Sequence, residues 1–278
     1  MAGTWDPAQY ECFHAERRLP FDDLLRLLRP HPGARVVDLG CGTGALTAVL
    51  HSHLGASETM GVDSSPDMLG KAHDIDQEGL HFVLGDISDL AAAWSSTTVE
   101  ESRPAPTFDI VFSNAALQWI PNHHSLLADM ARGVAPGGQL AVQVPANADH
   151  VSHTAAYQVI EEEPFRSIIR ESGIVPERVE WVLAPDEYAA LLDELGATDQ
   201  QVRLQVYGHR LGSTLGMVDW MKGSLLTPYR SIFDDATYAA FVTRYGEAIV
   251  GQVGYREPYF FIPEGAPDVK GDFVDCLR

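Results

Sequence analysis

Hydrophobic and polar positions in the first half of the chain alternate between two periods. Arg35-Val-Val-Asp-Leu39 is a short, β-rich run, glycines follow it at once, and Ala45 to Leu54 then carries apolar residues at helical spacing. Residues 59–62 read as a second strand. Residues 65–73 read as a second helix, with Ser65-Pro66 fitting an N-cap followed by proline at the first helical position. A third strand is expected at 81–84 and a fourth at 108–113, followed by an amphipathic stretch to Ala131. A fifth is expected at 140–144, after the turn Pro136-Gly137-Gly138. Strands alternating with helices call for right-handed crossovers and predict a parallel, doubly wound α/β sheet.

Past about residue 150 the pattern changes. Ser152 to Glu171 and Pro185 to Leu195 look helical, and 202–207 looks like another strand. Thr214 to Val250 looks mostly helical, with Trp220, Leu225, Tyr229, Phe233, Tyr238 and Phe241 spread through it. The run Pro258-Tyr-Phe-Phe-Ile262 has strand composition and would complete the sheet. The expected organisation is a helical lid at 1–32, a ligand-binding core at 33–150, and remaining strands at 151–278 with a helical cap over about 213–250. The stretch 91–106, rich in Ala, Ser, Thr and Pro, reads as a helix end and a surface loop. No internal repeat is visible.

Charge narrows the choice of ligands. Against 19 Lys and Arg stand 39 Asp and Glu, a net charge of −20 over 278 residues. Such a field repels phosphate backbones and anionic lipid, so nucleic-acid binding is not expected. An acidic small molecule would need a local basic pocket. No apolar run approaches about 18 residues, so no membrane-spanning helix is expected. Met-Ala-Gly-Thr-Trp-Asp at the start has neither the basic region nor the apolar core of a secretory signal. Three scattered cysteines, Cys12, Cys41 and Cys276, suit reduced thiols in a cytoplasmic protein better than disulfides or zinc. His123-His124 lacks a thiol or carboxylate at ligand spacing, so no metal is expected.

The strongest local signal is Val36-Val-Asp-Leu-Gly-Cys-Gly-Thr-Gly44, a buried strand running through alternate glycines into a helix. Glycine allows tight turning and close approach of a ligand to the backbone. Gly40, Gly42 and Ala45 also satisfy the G-x-G-x-x-G/A dinucleotide pattern, so the loop alone is ambiguous. Three carboxylates help to separate the readings. Asp38, at the end of its strand, can face an ammonium and would oppose a pyrophosphate. Asp63 closes the second strand, where a carboxylate can accept from both ribose hydroxyls. Asp86 closes the third, where it can accept from an adenine amine. Open α/β sheets bind ligands at this edge. Asp63 as a plain helix cap and Asp86 as a plain turn former are the structural alternatives.

At this point the chain resembles a known family. Asp-Leu-Gly-Cys-Gly-Thr-Gly, then Gly-Val-Asp-Ser-Ser-Pro-Asp-Met-Leu, Gly-Asp-Ile and Phe-Asp-Ile-Val-Phe-Ser-Asn-Ala-Ala-Leu-Gln-Trp are similar, in that order, to class I S-adenosylmethionine-dependent methyltransferases. A closer resemblance, to the trans-aconitate methyltransferases, extends over most of the chain. It rests on Trp5-Asp-Pro-Ala-Gln-Tyr10, Phe13-His-Ala-Glu-Arg-Arg-Leu-Pro20, Asn114-Ala-Ala-Leu-Gln-Trp119, Val142-Gln-Val-Pro145, Asp219-Trp-Met-Lys-Gly223 and Pro228-Tyr229. Two features depart from the pattern: Leu19 replaces a basic residue before the proline, and the end of the chain is acidic and proline-rich.

The resemblance implies a seven-stranded, mostly parallel Rossmann-like sheet with a helical cap. It also implies S-adenosylmethionine as cofactor, held by Asp38, Gly40, Cys41, Gly42, Asp63, Ser64, Met68, Asp86, Ile87 and Asn114. It implies a small-molecule acceptor and no obligate protein partner. Acceptor contacts are expected from Tyr10, Phe13, His14, Arg17, Gln118, Trp119, Lys222 and Tyr229. Arg17 is favoured because guanidinium grips carboxylate bidentately. The implied reaction is methyl transfer to a carboxylate of a small polycarboxylic acid. Such a group is ionised near pH 7, since its reference pKa is about 4. It needs no general base, which fits the absence of any Ser-His-Asp or Cys-His arrangement. Orientation alone can contribute about 7–11 kcal/mol. The same fold could instead methylate a phenol, amine or carbon, with His14 or His123 as base, or it could bind the cofactor without reaction. A nicotinamide-dependent oxidoreductase is opposed by Asp38 and by the lack of a second mononucleotide half.

Overall fold

Alternate residues of β1 (Arg35–Leu39) point into two different apolar layers, and this places the strand at the middle of the sheet. A computed structural model of the protein describes residues 14–90, 107–174 and 181–261. Its main sheet has five strands in the order β3-β2-β1-β4-β5, all paired in parallel. The other strands are β2 (Glu58–Asp63), β3 (Leu80–Leu84), β4 (Phe108–Asn114) and β5 (Val134–Gln143). On one face Val36, Ile110 and Phe112 pack with Phe21, Leu24 and Leu25 of α1 (His14–Leu27) and Leu50 and Leu54 of α2 (Ala45–Leu54). Val37, Leu39 and Val111 join Leu126, Leu127 and Met130 of α4 (His123–Arg132), which among the described residues is the next α-helix after α3 (Pro66–Ala72). A parallel strand covered on both faces has to be apolar on both, hence the unbroken run Ile110–Phe112.

Local chemistry sets several boundaries where the sequence places them. Ser65 accepts from the Met68 amide at the start of α3, with Pro66 in the first turn. Gly55 closes α2 in the left-handed region, φ 57°. The expected turn at Pro136-Gly137-Gly138 is instead taken up within β5. Phe108 pairs with Val134 but Ile110 pairs with Gln139, so the extra residues bulge out of the ladder with Gly137 at φ 79°.

The described residues of 17–145 and 179–203 form one compact unit. Those of 1–16, 146–178 and 204–278 form another. This second unit contains α5 (Val151–Val159) and α6 (Phe165–Ser172). Residues 179–203, which contain α7 (Pro185–Glu194), return to the first unit, where Leu191 enters the core. The partition therefore does not follow a single cut near residue 150.

Two expected strands behave differently from the sequence reading. The segment 202–208 forms no strand, and Leu204 and Val206 are exposed. The strand comes later, as β6 (His209–Leu211), and it pairs antiparallel with β7 (Tyr259–Phe261) in a separate two-stranded sheet. Among the described residues the parallel sheet therefore has five strands, and the run at 258–262 does not complete it. Alternating apolar residues at 202, 204 and 206 mimic a strand, but a strand also needs a neighbouring ladder.

The helical stretch after 213 divides into α8 (Gly216–Lys222), α9 (Thr227–Ile232) and α10 (Asp235–Val253). Its aromatic residues make the core of the second unit. Phe241 lies within ring-contact distance of Phe165, Tyr229, Phe233 and Tyr245. The Tyr245 hydroxyl donates to the Ser152 carbonyl at 2.7 Å, and Arg244 grips Glu162 with two bonds of 2.8 Å, joining α10 to the segment 152–162.

Replacing Leu50, which is fully buried, with alanine should cost about 2–5 kcal/mol of stability in urea unfolding. Leu84→Ala, at a side chain 60% exposed, should change it by no more than about 0.5 kcal/mol.

Candidate functional site

The glycine loop after β1 is fastened to the end of β2 by its own backbone. The amides of Gly40 and Cys41 both donate to the Val62 carbonyl, at 2.8 and 3.0 Å. The Gly42 amide donates to Asp63 Oδ2 at 2.8 Å, and the Gly44 amide to the Cys41 carbonyl at 3.0 Å. Four N–H groups of the loop are thus engaged, leaving none of the four for a pyrophosphate. This counts against the dinucleotide reading of the glycines.

Glycine is required at Gly40 for two reasons. Its φ is 82°, and a Cβ there would lie 2.2 Å from the Cβ of Ala116 and 3.8 Å from Cδ1 of Ile87. The loop therefore lies against the segments that follow β4 and β3. At Gly42, φ is 56° but the space beside it is open. Three strand ends are in this way drawn to one edge. The Ser113 hydroxyl adds a 2.7 Å bond to the Leu39 carbonyl, tying β4 to β1.

Asp38 is buried, and its Oδ2 accepts from the Thr47 hydroxyl at 2.6 Å. Burial, with the nearby charge of Asp63, pushes its carboxyl up from 3.8 to about 7 against the lowering effect of Thr47. A cation arriving beside it would restore the ionised form. Thr47 is a site residue the sequence reading missed, although its place one turn into α2 was available as a signal. Burial, and then the charges of Asp38 and Asp63, push the Cys41 thiol far above its ordinary range. Cys41 is thereby an inert side chain in the loop and not a nucleophile.

Asp63 is half-buried. It accepts from the Gly42 amide through one oxygen and from the Ser65 amide through the other, at 2.9 Å. The structural role and a ligand role are compatible, because an ionised carboxylate offers about four acceptor positions. Ser64 is exposed, and Met68, four residues further on, is half-buried. Asp86 is exposed, and its Oδ1 takes both the amide and the hydroxyl of Ser88, at 2.8 and 2.7 Å. These bonds hold its carboxyl below the usual range. Ile87 beside it is buried.

The ends of β4 and β5 carry an unusual feature. Asn114 and Gln143 are register partners, and each has a buried side-chain oxygen with no donor, as does Gln118. For Gln118 the orientation is fixed: its amide nitrogen donates to the Ala115 carbonyl at 2.8 Å, so the oxygen is the free end. Ala115 itself has φ 52°, an uncommon conformation for a residue with a Cβ. Buried acceptors without donors are costly and rare. The pair on β4 and β5, in the same sheet as the buried Asp38 of β1, suits a ligand that brings hydrogen-bond donors and positive charge. An ammonium has three donors and the matching sign. Gln143 was not singled out in the sequence; its register with Asn114 is visible only once β4 and β5 are paired.

The remaining expected residues are placed as follows. Trp119 is 40% exposed on the one-turn 3₁₀ helix Leu117–Trp119. Lys222 and Tyr229 belong to the second unit. Lys222 pairs with Asp219 at 2.8 Å, and Tyr229 is a core residue beside Phe233 and Phe241. Tyr10, Phe13 and the side chains of His14 and Arg17 lie outside the described residues. His123 is buried with both ring nitrogens bonded. Among the described residues no cluster of three or more His, Cys, Asp or Glu side chains could hold a metal ion, and no helix is long and apolar enough to cross a membrane.

Known proteins match most of the chain. A methyltransferase-domain family model matches residues 13–201. The trans-aconitate 2-methyltransferase of Deinococcus radiodurans is 42% identical over 247 residues, covering 87% of this chain and 88% of that protein. Its counterpart in Methylobacterium nodulans is 37% identical over 245 residues, covering 88% of each. Among solved structures, the YcgJ protein of a Bacillus superposes with a TM-score of 0.53 at 14% identity, over 90% of this chain and 94% of that one. A Haloferax volcanii methyltransferase solved with its activator gives 0.51 at 19% identity, over 76% and 80%. These last two likenesses are of fold. A strand-terminal carboxylate edge, a clamped glycine loop and close relatives over nearly the whole length converge on one conclusion: the chain belongs to the S-adenosylmethionine-dependent methyltransferases, in the family that includes the trans-aconitate 2-methyltransferases.

Proposed function

We propose that this protein transfers a methyl group from S-adenosylmethionine to a carboxylate oxygen of a small polycarboxylic acid such as trans-aconitate, giving a methyl ester. The observation that carries the acceptor is the pair of relatives at 42% and 37% identity, both trans-aconitate 2-methyltransferases of matching length. When bound, the cofactor supplies an electrophilic methyl carbon on a positively charged sulfur.

The protein's residues then have distinct tasks. Gly40, Cys41 and Gly42 form a bare backbone shelf for the methionine part of the cofactor. Asp38 and the oxygen of Asn114, supported by Gln143, receive its ammonium. Asp63 uses its remaining acceptor positions for the ribose hydroxyls, with Ser64 beside it. Met68, Asp86 and Ile87 flank the adenine. On the acceptor side Arg17 grips a carboxylate in bidentate fashion, and Gln118 and Trp119 shape the space after β4. Tyr10, Phe13 and His14 belong to an N-terminal lid, and Lys222 to a cap. Tyr229 supports that cap from within its core. No residue needs to take a proton, because the acceptor oxygen is already ionised near neutral pH. Catalysis reduces to alignment of the two reactants and exclusion of water.

Three outcomes test this. Incubation with methyl-labelled cofactor and trans-aconitate should give a labelled product that mild alkali cleaves; an alkali-stable product would redirect the assignment to a phenol, amine or carbon acceptor. Asp63→Asn should weaken cofactor binding in calorimetry by roughly tenfold or more, the loss of a charge-assisted bond of about 1.5–3 kcal/mol. Unchanged affinity would remove Asp63 from the site.

The third concerns pH. The Asp38 carboxyl is raised to about 7, so the free protein holds a proton there below that pH. A cationic ligand binds the ionised form, so affinity should fall about tenfold per pH unit below 7, with proton release on binding visible in buffers of different ionisation enthalpy. The stability effect has the opposite sense to that of a salt-bridged carboxylate. Because the folded value lies above the unfolded one, the contribution is complete below about pH 4 and is lost as pH rises through 7. Asp38→Asn should flatten both profiles.

A further inference from the structure

The turn that carries Gln118 and Trp119 is held from beneath by a chain of three hydrogen bonds. The Leu183 amide donates to the Tyr188 hydroxyl oxygen at 3.3 Å. The Tyr188 hydroxyl lies 2.5 Å from His123 Nδ1, and His123 Nε2 lies 3.0 Å from the Leu117 carbonyl. A carbonyl can only accept, so Nε2 carries the proton. Nδ1 is therefore the bare nitrogen and accepts from the Tyr188 hydroxyl, whose oxygen is left to accept from Leu183. Each member has one consistent role, and reversing any one breaks its neighbour. Burial holds the imidazole below its ordinary value, which keeps it neutral. It also pushes the Tyr188 hydroxyl up to about 12, which keeps it a donor.

This arrangement spans separate parts of the chain. Tyr188 is on α7, His123 opens α4, and Leu117 begins the 3₁₀ turn. Leu117 is fully buried and its carbonyl also accepts from the Ile120 amide at 2.9 Å. The other end of the turn is set by Gln118 bonding back to Ala115. Fixing both ends leaves Gln118 with its oxygen unpaired and Trp119 outward. Neither His123 nor Tyr188 is free to exchange protons with a ligand, which removes His123 as the base of an alternative mechanism.

We propose that His123 and Tyr188 are positioning residues that set the acceptor turn through the Leu117 carbonyl, and so govern acceptor binding while leaving the cofactor site alone. This rests on the reading that Gln118 and Trp119 face the acceptor. The test uses the full chain with Tyr188→Phe, which keeps the ring and removes the hydroxyl, and with His123→Gln, whose amide can still donate to Leu117, beside His123→Ala. Misplacement of such a turn should raise the acceptor KM or lower kcat roughly tenfold to hundredfold. Cofactor affinity by calorimetry should stay within about twofold of wild type, and His123→Gln should recover part of what His123→Ala loses. Unchanged acceptor kinetics in Tyr188→Phe would overturn the proposal, and so would parallel loss of cofactor affinity and acceptor kinetics. If His123→Ala does not fold, Tyr188→Phe and His123→Gln decide it. Ring-nitrogen NMR of His123 in the wild-type protein reads the tautomer independently of activity. The Nε2–H form is expected, and the Nδ1–H form sinks the positioning chain. Wild-type protein that methylates no carboxylic acid but shows the expected tautomer would instead sink the functional reading.

Discussion

The site depends on the end of β2, where two acceptors hold the glycine loop in place. The Val62 carbonyl takes the amides of Gly40 and Cys41, and the Asp63 carboxylate takes that of Gly42. Glycine reaches the left-handed backbone at Gly40 and Gly42 without strain, and those bonds select it from the many conformations a glycine-rich loop can adopt. With them, the loop presents bare backbone toward Ala116 and Ile87, and the ends of three strands become one surface. Asp63 is a scaffold residue here, and its two bonds to the backbone leave acceptor capacity unspent.

Electrostatics gives this surface its preference. The ionised Asp38 and the unpaired oxygens of Asn114 and Gln143 are hydrogen-bond acceptors. In a low-dielectric setting such groups are costly until a donor arrives, so they select for a ligand carrying positive charge. The chain's overall charge of −20 acts in the same sense for the cofactor and against an anionic acceptor. An acidic acceptor would thus owe its binding to local cations rather than to the field of the whole protein. The two demands are reconciled by placing them on different sides of the reaction.

The buried histidine illustrates how misleading composition can be. His123 beside His124 reads as a candidate base. In the fold it bridges Tyr188 and Leu117, with both nitrogens committed. Its chemistry is spent on geometry.

Local signals in the sequence were enough for the elements of the first half. Val36–Leu39, the glycines and Ala45–Leu54 follow from steric and periodic rules that act over a few residues, and Ser65-Pro66 sets its own helix start. That Asp38, Asp63, Asp86 and Asn114 fall at or next to strand ends was legible because a strand end is a local event. Pairing is not local, and what depended on it was decided by the tertiary structure. The apolar alternation at 202–206 found no ladder, β6 formed later with β7, and the aromatic residues from Trp220 to Phe241 became the core of a second unit. Gln143 gained significance only through its register with Asn114, and Thr47 only by reaching Asp38 nine residues away. A sequence specifies which surfaces are apolar and where the backbone can turn; which surface meets which is settled by contacts between distant segments, whose formation no single stretch of chain encodes.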